Sequence, residues 1–410
     1  MAAIGTLPNG DVVVVGGAVG PVQVANEMLT GAGDTDVLVA AIEVDGRVRW
    51  ARLFGGLGYD VAEGLAIAAD GTIYITGQFF DRADLGDGNV AQGNGGNEAF
   101  VASFTSAGAF RWAIHFGGND LSTAYDTDMG TSVAIAPDGD LVIGGSVSRV
   151  VDFGDGMQTP ASGAQNDGFV ARYSPDGKTL RWVRRWGVTG ENVVAGVALD
   201  ASGQIYVSGS YAGSPDFGSG AVPARGGNVD AFMLGLTSNA GHRWDKTWGG
   251  PDTQRLYGLT VLGNLVMSAG YYWNVIDLPV AASFGRSDGI IVAYTTAGVF
   301  DHALRFGGAN CEFARNITGS TAEVVVSGAF SDTVDFGDGP HASRGGTDAF
   351  MVGLDQTGVV WSDTFGSVSD DKSTGMTGSR SSGLYVVGHR NLAFDANCNE
   401  HAHSAYITRF

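Results

Sequence analysis

A short apolar run ending in glycine returns seven times along this chain, and that recurrence limits the possible folds more than any other feature. The runs are Val12–Gly17, Ile73–Gly77, Leu141–Gly145, Ile205–Gly209, Leu265–Gly270, Val324–Gly328 and Tyr385–Gly388. Their closing glycines are spaced by 60, 68, 64, 61, 58 and 60 residues. A period of this size marks supersecondary units that bury their apolar faces only against one another.

Each copy predicts four strands, a to d. Strand a is small and apolar, as in Gly64–Ala68 and Gly196–Leu199. A tight turn such as Asn9-Gly10, Asp70-Gly71 or Asp138-Gly139 follows, because these residues accept positive φ. Strand b is the apolar run, continuous enough to need cover on both faces. Strand c opens on an acid: Asp36, Glu98, Asp167, Asp230, Asp288 or Asp348. Strand d pairs two aromatics four residues apart: Trp50/Phe54, Trp112/Phe116, Trp182/Trp186, Trp244/Trp248 and Trp361/Phe365, with His302 replacing Trp ahead of Phe306.

Seven such units with apolar faces and no sustained helical period predict an all-β chain. The expected fold is a seven-bladed β-propeller of four-stranded antiparallel blades in a single domain, 1–410. The predicted blades are 1–56, 57–118, 119–187, 188–250, 251–308, 309–366 and 367–410. The chain stops on strand c of the seventh copy, so the last blade is expected to lack its outer strand. An open edge there would be a template for strand addition by a partner.

The order Asp-Ala-Phe strand, Gly turn, Arg-Trp strand, Phe-Gly-Gly, then Ile-Tyr-Val-Ser-Gly resembles the SBBP repeat of bacterial seven-bladed propellers, and more distantly the NHL repeat. The resemblance runs over essentially the whole chain. It implies a bacterial surface or secreted protein.

Composition narrows the partners. With 66 glycines but only 10 prolines in 410 residues and 44% apolar residues, the chain is neither collagenous nor disordered. A net charge of -20 disfavours nucleic acid and anionic membrane. No apolar run is long enough for a transmembrane helix. Met1-Ala2-Ala3-Ile4 shows no basic segment ahead of an apolar one, so no signal peptide is visible. The expected location is extracellular or at the cell surface, the chain being a mature or truncated form.

In an antiparallel blade the a–b and c–d turns share one face, and the longer b–c and d–a loops share the other. Binding residues are expected on the second. Four b–c loops repeat an Asp-x-Gly-x-Gly element, which raises calcium as a candidate cofactor through Asp84, Asp87, Asp152, Asp155, Asp335 and Asp338. Turn capping with a packed Phe or Leu is the competing reading. Breaks in the repeat point to partner contact at Asp120, Tyr125, Asp126 and Asp128 in the long third d–a loop. In the fifth copy Tyr271 and Trp273 flank a Tyr272 that the repeat itself explains. Cys311 and Cys398 fall on the same face of neighbouring blades, consistent with a disulfide, with free thiols, or with a zinc site that adds Glu400, His401 and His403.

No catalytic motif is present. The expected function is therefore a non-enzymatic recognition or assembly module for a protein or glycan partner. The alternatives are a glycan hydrolase or lyase at the channel mouth, using acids such as Asp60, Glu191, Asp252 and Glu312, or a structural subunit of a surface appendage.

Overall fold

The computed structural model describes residues 2–24, 27–118, 128–148, 150–154, 156–158, 166–280, 282–320, 323–355, 358–379, 383–394, 400–401 and 404–410. Six sheets have four antiparallel strands in the order a-b-c-d, from Ala3–Thr6, Val12–Ala18, Asp36–Ile42 and Val48–Phe54 in blade 1 to Phe313–Ser320, Glu323–Asp335, Pro340–Asp355 and Gly358–Phe365 in blade 6. The seventh sheet holds Asp370–Ser379, Gly383–Phe394 and Ser404–Arg409, and among the described residues Ser404–Arg409 pairs only with Gly383–Phe394. Each strand a packs on the strand a of the next blade, and Ala3–Thr6 meets Asp370–Ser379 to close the ring. The fold is a seven-bladed β-propeller.

Burial follows the expected layering. Strands b and c are apolar on both faces, so Val13, Val15, Ile75, Ile143 and Val207 are all fully buried. Core clusters span neighbouring blades; one joins Ile4, Val12 and Val14 of blade 1 to Tyr385 and Val387 of blade 7. This contact joins the last blade to the first, and among the described residues no strand of one terminus pairs into the sheet of the other.

The repeated glycines and tryptophans have steric reasons. Strand a carries a β-bulge at the same place in blades 2 to 7, between Ala62/Gly64, Gly130/Ser132, Val194/Gly196, Leu256/Leu259, Ala314/Asn316 and Ser373/Gly375. A bulge bends its strand and re-aims a side chain. It also brings the strand-a backbone onto strand b. A Cβ at Gly77, Gly145, Gly209, Gly270, Gly328 or Gly388 would overlap the carbonyl oxygen of Val61, Met129, Val193, Arg255, Phe313 or Lys372, respectively. The glycine that closes each apolar run from blade 2 onward is thus the socket for the bulge.

The strand-d tryptophans lock one blade to the next. Trp50, Trp182 and Trp244 donate their indole N–H to Ser106 O, Ser238 O and Thr296 O of the following blade's c–d turn, at 3.0, 3.2 and 3.1 Å. The rings of Trp50, Trp112 and Trp244 leave no room for side chains at turn positions Gly108, Gly177 and Gly298, respectively. His302 interrupts the series in blade 5, its ring paired with the adjacent Asp301, and in blade 6 Trp361 donates instead to Glu323 of its own blade. Substituting Gly209→Ala drives a methyl into Val193 O, and overpacking of this kind costs about 3 kcal/mol. A urea titration should show a lower midpoint with the slope retained, and an unchanged midpoint would contradict the bulge-socket assignment.

Candidate functional site

The site begins with what the bulge does to strand a. Six consecutive blades present, in register, a capping residue, a second position, a buried residue (Ala62, Gly130, Val194, Leu256, Ala314 or Ser373), and then the bulged residue. The capping residues are Asp60, Asp128, Asn192, Gln254, Glu312 and Asp371, all fully buried or nearly so. The second positions are Val61, Met129, Val193, Arg255, Phe313 and Lys372. The bulged residues are Glu63, Thr131, Ala195, Tyr257, Arg315 and Thr374.

The capping residues hold the frame. Asp128 accepts from Gly118 N–H and Ser148 N–H, Asp60 from Gly56 N–H and Phe80 N–H, and Glu312 from Gly308 N–H and Ser331 N–H. Each ties a d–a loop to the next strand b. The acids opening strand c cap the b–c loops in the same way, as Asp36 does for Ala32 N–H and Asp348 for Arg344 N–H. The Phe-Gly-Gly motif supplies space for them: a Cβ on Gly55 would strike the carboxylates of both Asp36 and Asp60. Burial raises the pKa of Asp60, Asp288 and Asp348 and pushes Glu312 up to about 7, against the pull of its two N–H donors.

The bulged residues are different. Every one of the six is half-buried while its neighbours on the strand are mostly buried. Strand a is the innermost strand of each blade, so these positions lie on the side of the ring nearest its axis. Here the seven-fold regularity ends. Arg315 lies over the Tyr257 ring at 4.9 Å, and Tyr257 stacks on Tyr271 with centroids 5.9 Å apart. Tyr271 meets Phe313 edge-on at 4.9 Å. Arg255 makes a bidentate pair with Glu191 at 2.6 and 2.9 Å. Burial works against the Arg255 charge, but Glu191 outweighs it and holds the guanidinium above its usual pKa.

Lys372 is buried beside this cluster. Burial first and Arg315 second push its ammonium down to about 6, with Glu63 pulling the other way. Burial likewise raises Glu63, against the opposing pull of Arg315 and Lys372. Glu63, Arg255, Tyr257, Arg315 and Lys372 sit at the start of strand a and Tyr271 near the end of strand b, on the face carrying the d–a and b–c loops. An amine, a guanidinium, a carboxyl and two phenols therefore lie on one face of the inner strands.

The residues singled out in the sequence fall in several places. Asp120, Tyr125, Asp126, Asp155, Cys398 and His403 lie outside the described residues. Asp128 belongs to the capping set rather than to a loop tip, because its two N–H partners draw it fully inside. Tyr271 lines the channel mouth instead of the outer surface, and Trp273 is half-buried. Asp84 accepts from the N–H groups of Gly86, Asp87 and Gly88 at 2.8, 3.1 and 3.0 Å, and Asp152 and Asp335 make the equivalent turns. The second acids also have partners: Asp87 bonds Asn89, and Asp338 bonds Ser362 and His341. Leu85, Phe153, Phe217 and Phe336 of the same element are buried plugs. Among the described residues no three His, Cys, Asp or Glu side chains converge as a metal site. Of the acids considered for hydrolysis, Asp60 and Glu312 are capping residues, Glu191 pairs Arg255, and Asp252 bonds Asn274. Cys311 is disulfide-bonded.

Strand a reads from the sequence as scaffold, and Glu63, Tyr257, Arg315 and Lys372 go unmarked there. The available signal was their charge or bulk at positions where other copies place Thr, Ala or Val.

No family model and no curated protein matches the chain. Solved structures of similar shape include a europium-containing methanol dehydrogenase, 10% identical over 90% of this chain and 82% of that one, with a TM-score of 0.36. A puromycin hydrolase variant is 12% identical over 95% of this chain and 58% of its own, TM-score 0.41. A protein of unknown function from Dyadobacter fermentans is 12% identical over 79% and 88%, TM-score 0.40. Likeness at this level carries no functional argument.

The capping acids predict a pH dependence. Glu312 has a folded pKa above its unfolded value, so the unfolded chain releases this proton first as pH rises. Its contribution is complete below about 4.5, the ordinary glutamate range, and is lost as pH rises through about 7. Glu312→Gln, which copies the natural Gln254, should flatten that part of the stability profile by on the order of 3 kcal/mol. Chemical denaturation at several pH values checks this, and a variant profile parallel to that of the parent would refute it.

Proposed function

We propose that the chain is a recognition module that binds a protein or glycan partner on its b–c/d–a face, centred on the channel mouth. The carrying observation is where symmetry fails. Frame positions repeat the same chemistry from blade to blade, whereas the channel positions of one face collect Glu63, Arg255, Tyr257, Arg315 and Lys372. A purely structural ring has no need of charged groups on its axis, and burying them costs stability unless a ligand compensates. Longer loops on the same face enlarge the surface: blade 2 extends Ile73–Asp84 and Val90–Phe104 into a ribbon, and blade 6 extends Glu323–Asp335 and Pro340–Asp355. The repeat motifs, read as SBBP-like, favour a bacterial cell surface or the extracellular space.

A second reading, a hydrolase or lyase at the same mouth, draws on one observation. Glu63 and Lys372 are both displaced toward neutrality in one channel, as a proton donor and acceptor would be.

A glycan array probed with the whole chain tests the first reading. Binding should be lost in Arg315→Ala and retained in Asn9→Ala, which lies on the opposite, a–b turn face. Binding that survives Arg315→Ala but fails in Asn9→Ala would place the partner on the other face and overturn the proposal. Time-dependent cleavage of a bound glycan would replace it with the second reading.

A further inference from the structure

In six blades strand d covers strand c, and blade 7 shows what strand c looks like uncovered. In blade 2, Ala99, Val101 and Ser103 lie opposite Phe116, Ile114 and Trp112 of strand d and are fully buried. Register with strand b makes Ala405, Ile407 and Arg409 their counterparts in blade 7. Ala405 and Arg409 are exposed and Ile407 is half-buried. Among the described residues no strand pairs with the far side of Ser404–Arg409. Phe410 exchanges both backbone hydrogen bonds with Leu384, at 2.8 and 3.3 Å. Antiparallel partners alternate between bonded and non-bonded pairs, so the N–H and C=O groups of Ala405, Ile407 and Arg409 point outward.

The neighbouring blade carries a matching socket. At other junctions a strand-d tryptophan lies against the glycine of the next blade's c–d turn and bonds the carbonyl two residues before it, as Trp50 does at Gly108 and Ser106 O. The same positions in blade 1 are Gly46 and Val44. A Cβ on Gly108 would lie 2.6 Å from the Trp50 ring, whereas a Cβ on Gly46 would meet nothing within 4 Å. Val44 is 49% exposed, and its carbonyl accepts from Arg409 at 3.3 Å. That bond leaves room for an indole, since Ser238 O accepts both Arg172 at 2.8 Å and Trp182 at 3.2 Å. A cavity of about 590 Å³ opens at this junction, with Val44, Tyr385 and Arg409 in its wall.

The strands that fill the slot elsewhere specify its occupant. Strand d of blades 1 and 3 reads Trp-x-Arg-x-Phe or Trp-x-Arg-x-Trp. The middle arginine adds a bond to the same turn, Arg52 to Gly108 O and Arg184 to Ala240 O. A basic segment also suits a chain whose net charge is -20.

We propose that blade 7 takes its fourth strand from a partner polypeptide, an extended Trp-x-Arg-x-Phe/Trp segment lying antiparallel to Ser404–Arg409. Its tryptophan sits opposite Arg409 with the indole N–H on Val44 O, and its second aromatic sits opposite Ala405. Main-chain bonds to the open edge supply affinity and the turn socket supplies selectivity. The c–d turn lies on the face away from the channel-mouth residues, so this interaction stands apart from glycan recognition.

Fluorescence anisotropy of the full chain with labelled Val-Arg-Trp-Ala-Arg-Leu-Phe, a copy of Val48–Phe54, tests this. One saturable site tighter than about 1 mM is expected. Replacing the peptide's tryptophan with alanine should weaken binding about tenfold or more. Gly46→Asn should weaken it as much, because asparagine accepts the positive φ there but fills the place of the indole. Ala405→Pro should also weaken it about tenfold, removing an outward N–H while keeping the bonds to strand b. Gly20→Asn, a b–c loop change at another open positive-φ glycine, should bind within about twofold of the parent. Thermal melts separate lost binding from lost folding, and the alanine peptide tests the same contact on the unaltered protein.

No saturation below about 1 mM overturns the proposal. So does an alanine peptide that binds as well as the original, or a peptide indifferent to both Gly46→Asn and Ala405→Pro. A dimer of the chain alone in sedimentation velocity, dispersed by Ala405→Pro, would give the edge to a second copy and overturn it too.

Discussion

Each sheet in this protein is apolar on both faces, and a free-standing sheet of that kind would leave two greasy surfaces in water. The ring satisfies every face at once, because each blade is the cover of its neighbours. Secondary contacts reinforce the arrangement: tryptophan indoles bond to the next blade's turn, buried carboxylates cap the loops between blades, and glycines admit the bulged inner strands. Blade 7 shows how far the packing alone can go. It meets blade 1 through side chains, Thr6 with Thr377 and Arg409 with the carbonyl of Val44, and no strand is shared between the two ends among the described residues.

The inner bulge couples the frame to function. An ordinary strand alternates its side chains between the two sheet faces, both of which are occupied by neighbouring blades. Inserting one residue lets a side chain leave that alternation and point along the axis. The bulged position then carries different chemistry from blade to blade, as Glu63, Thr131, Ala195, Tyr257, Arg315 and Thr374 do. Thr131 uses the freedom for the frame, bonding Val194 O at 2.5 Å and Gly144 O at 3.1 Å. Glu63, Tyr257 and Arg315 use it for chemistry. Lys372, two residues earlier in the register, joins them from a position that is Val or Met in three of the other five blades.

Architecture was legible because it repeats. Seven glycine-closed runs, paired aromatics and turn dipeptides each pointed to the same unit, and the structure returns that unit with the expected strand order. Capping by the strand-c acids and the packed Phe of Asp-Phe-Gly-x-Gly were also readable from local chemistry. The site was less so. Tyr271 stood out in the sequence as an aromatic beyond the repeat, but it meets Tyr257 within its own blade and Phe313 from the next one. Asp128 looked like part of an insertion, whereas two backbone N–H groups from separate segments bring it inside.

The chain alone settled how many units there are, where their strands and turns fall, and that their faces must be covered, because these follow from hydrophobic period and turn chemistry within one copy. Which side chains meet on the axis was decided by ring closure. Glu63 and Lys372 are separated by most of the chain, and only the circular arrangement of inner strands brings a carboxyl from blade 2 and an amine from blade 7 to the two sides of blade 1. Proximity created by closing a ring leaves no trace in the spacing of residues along the sequence.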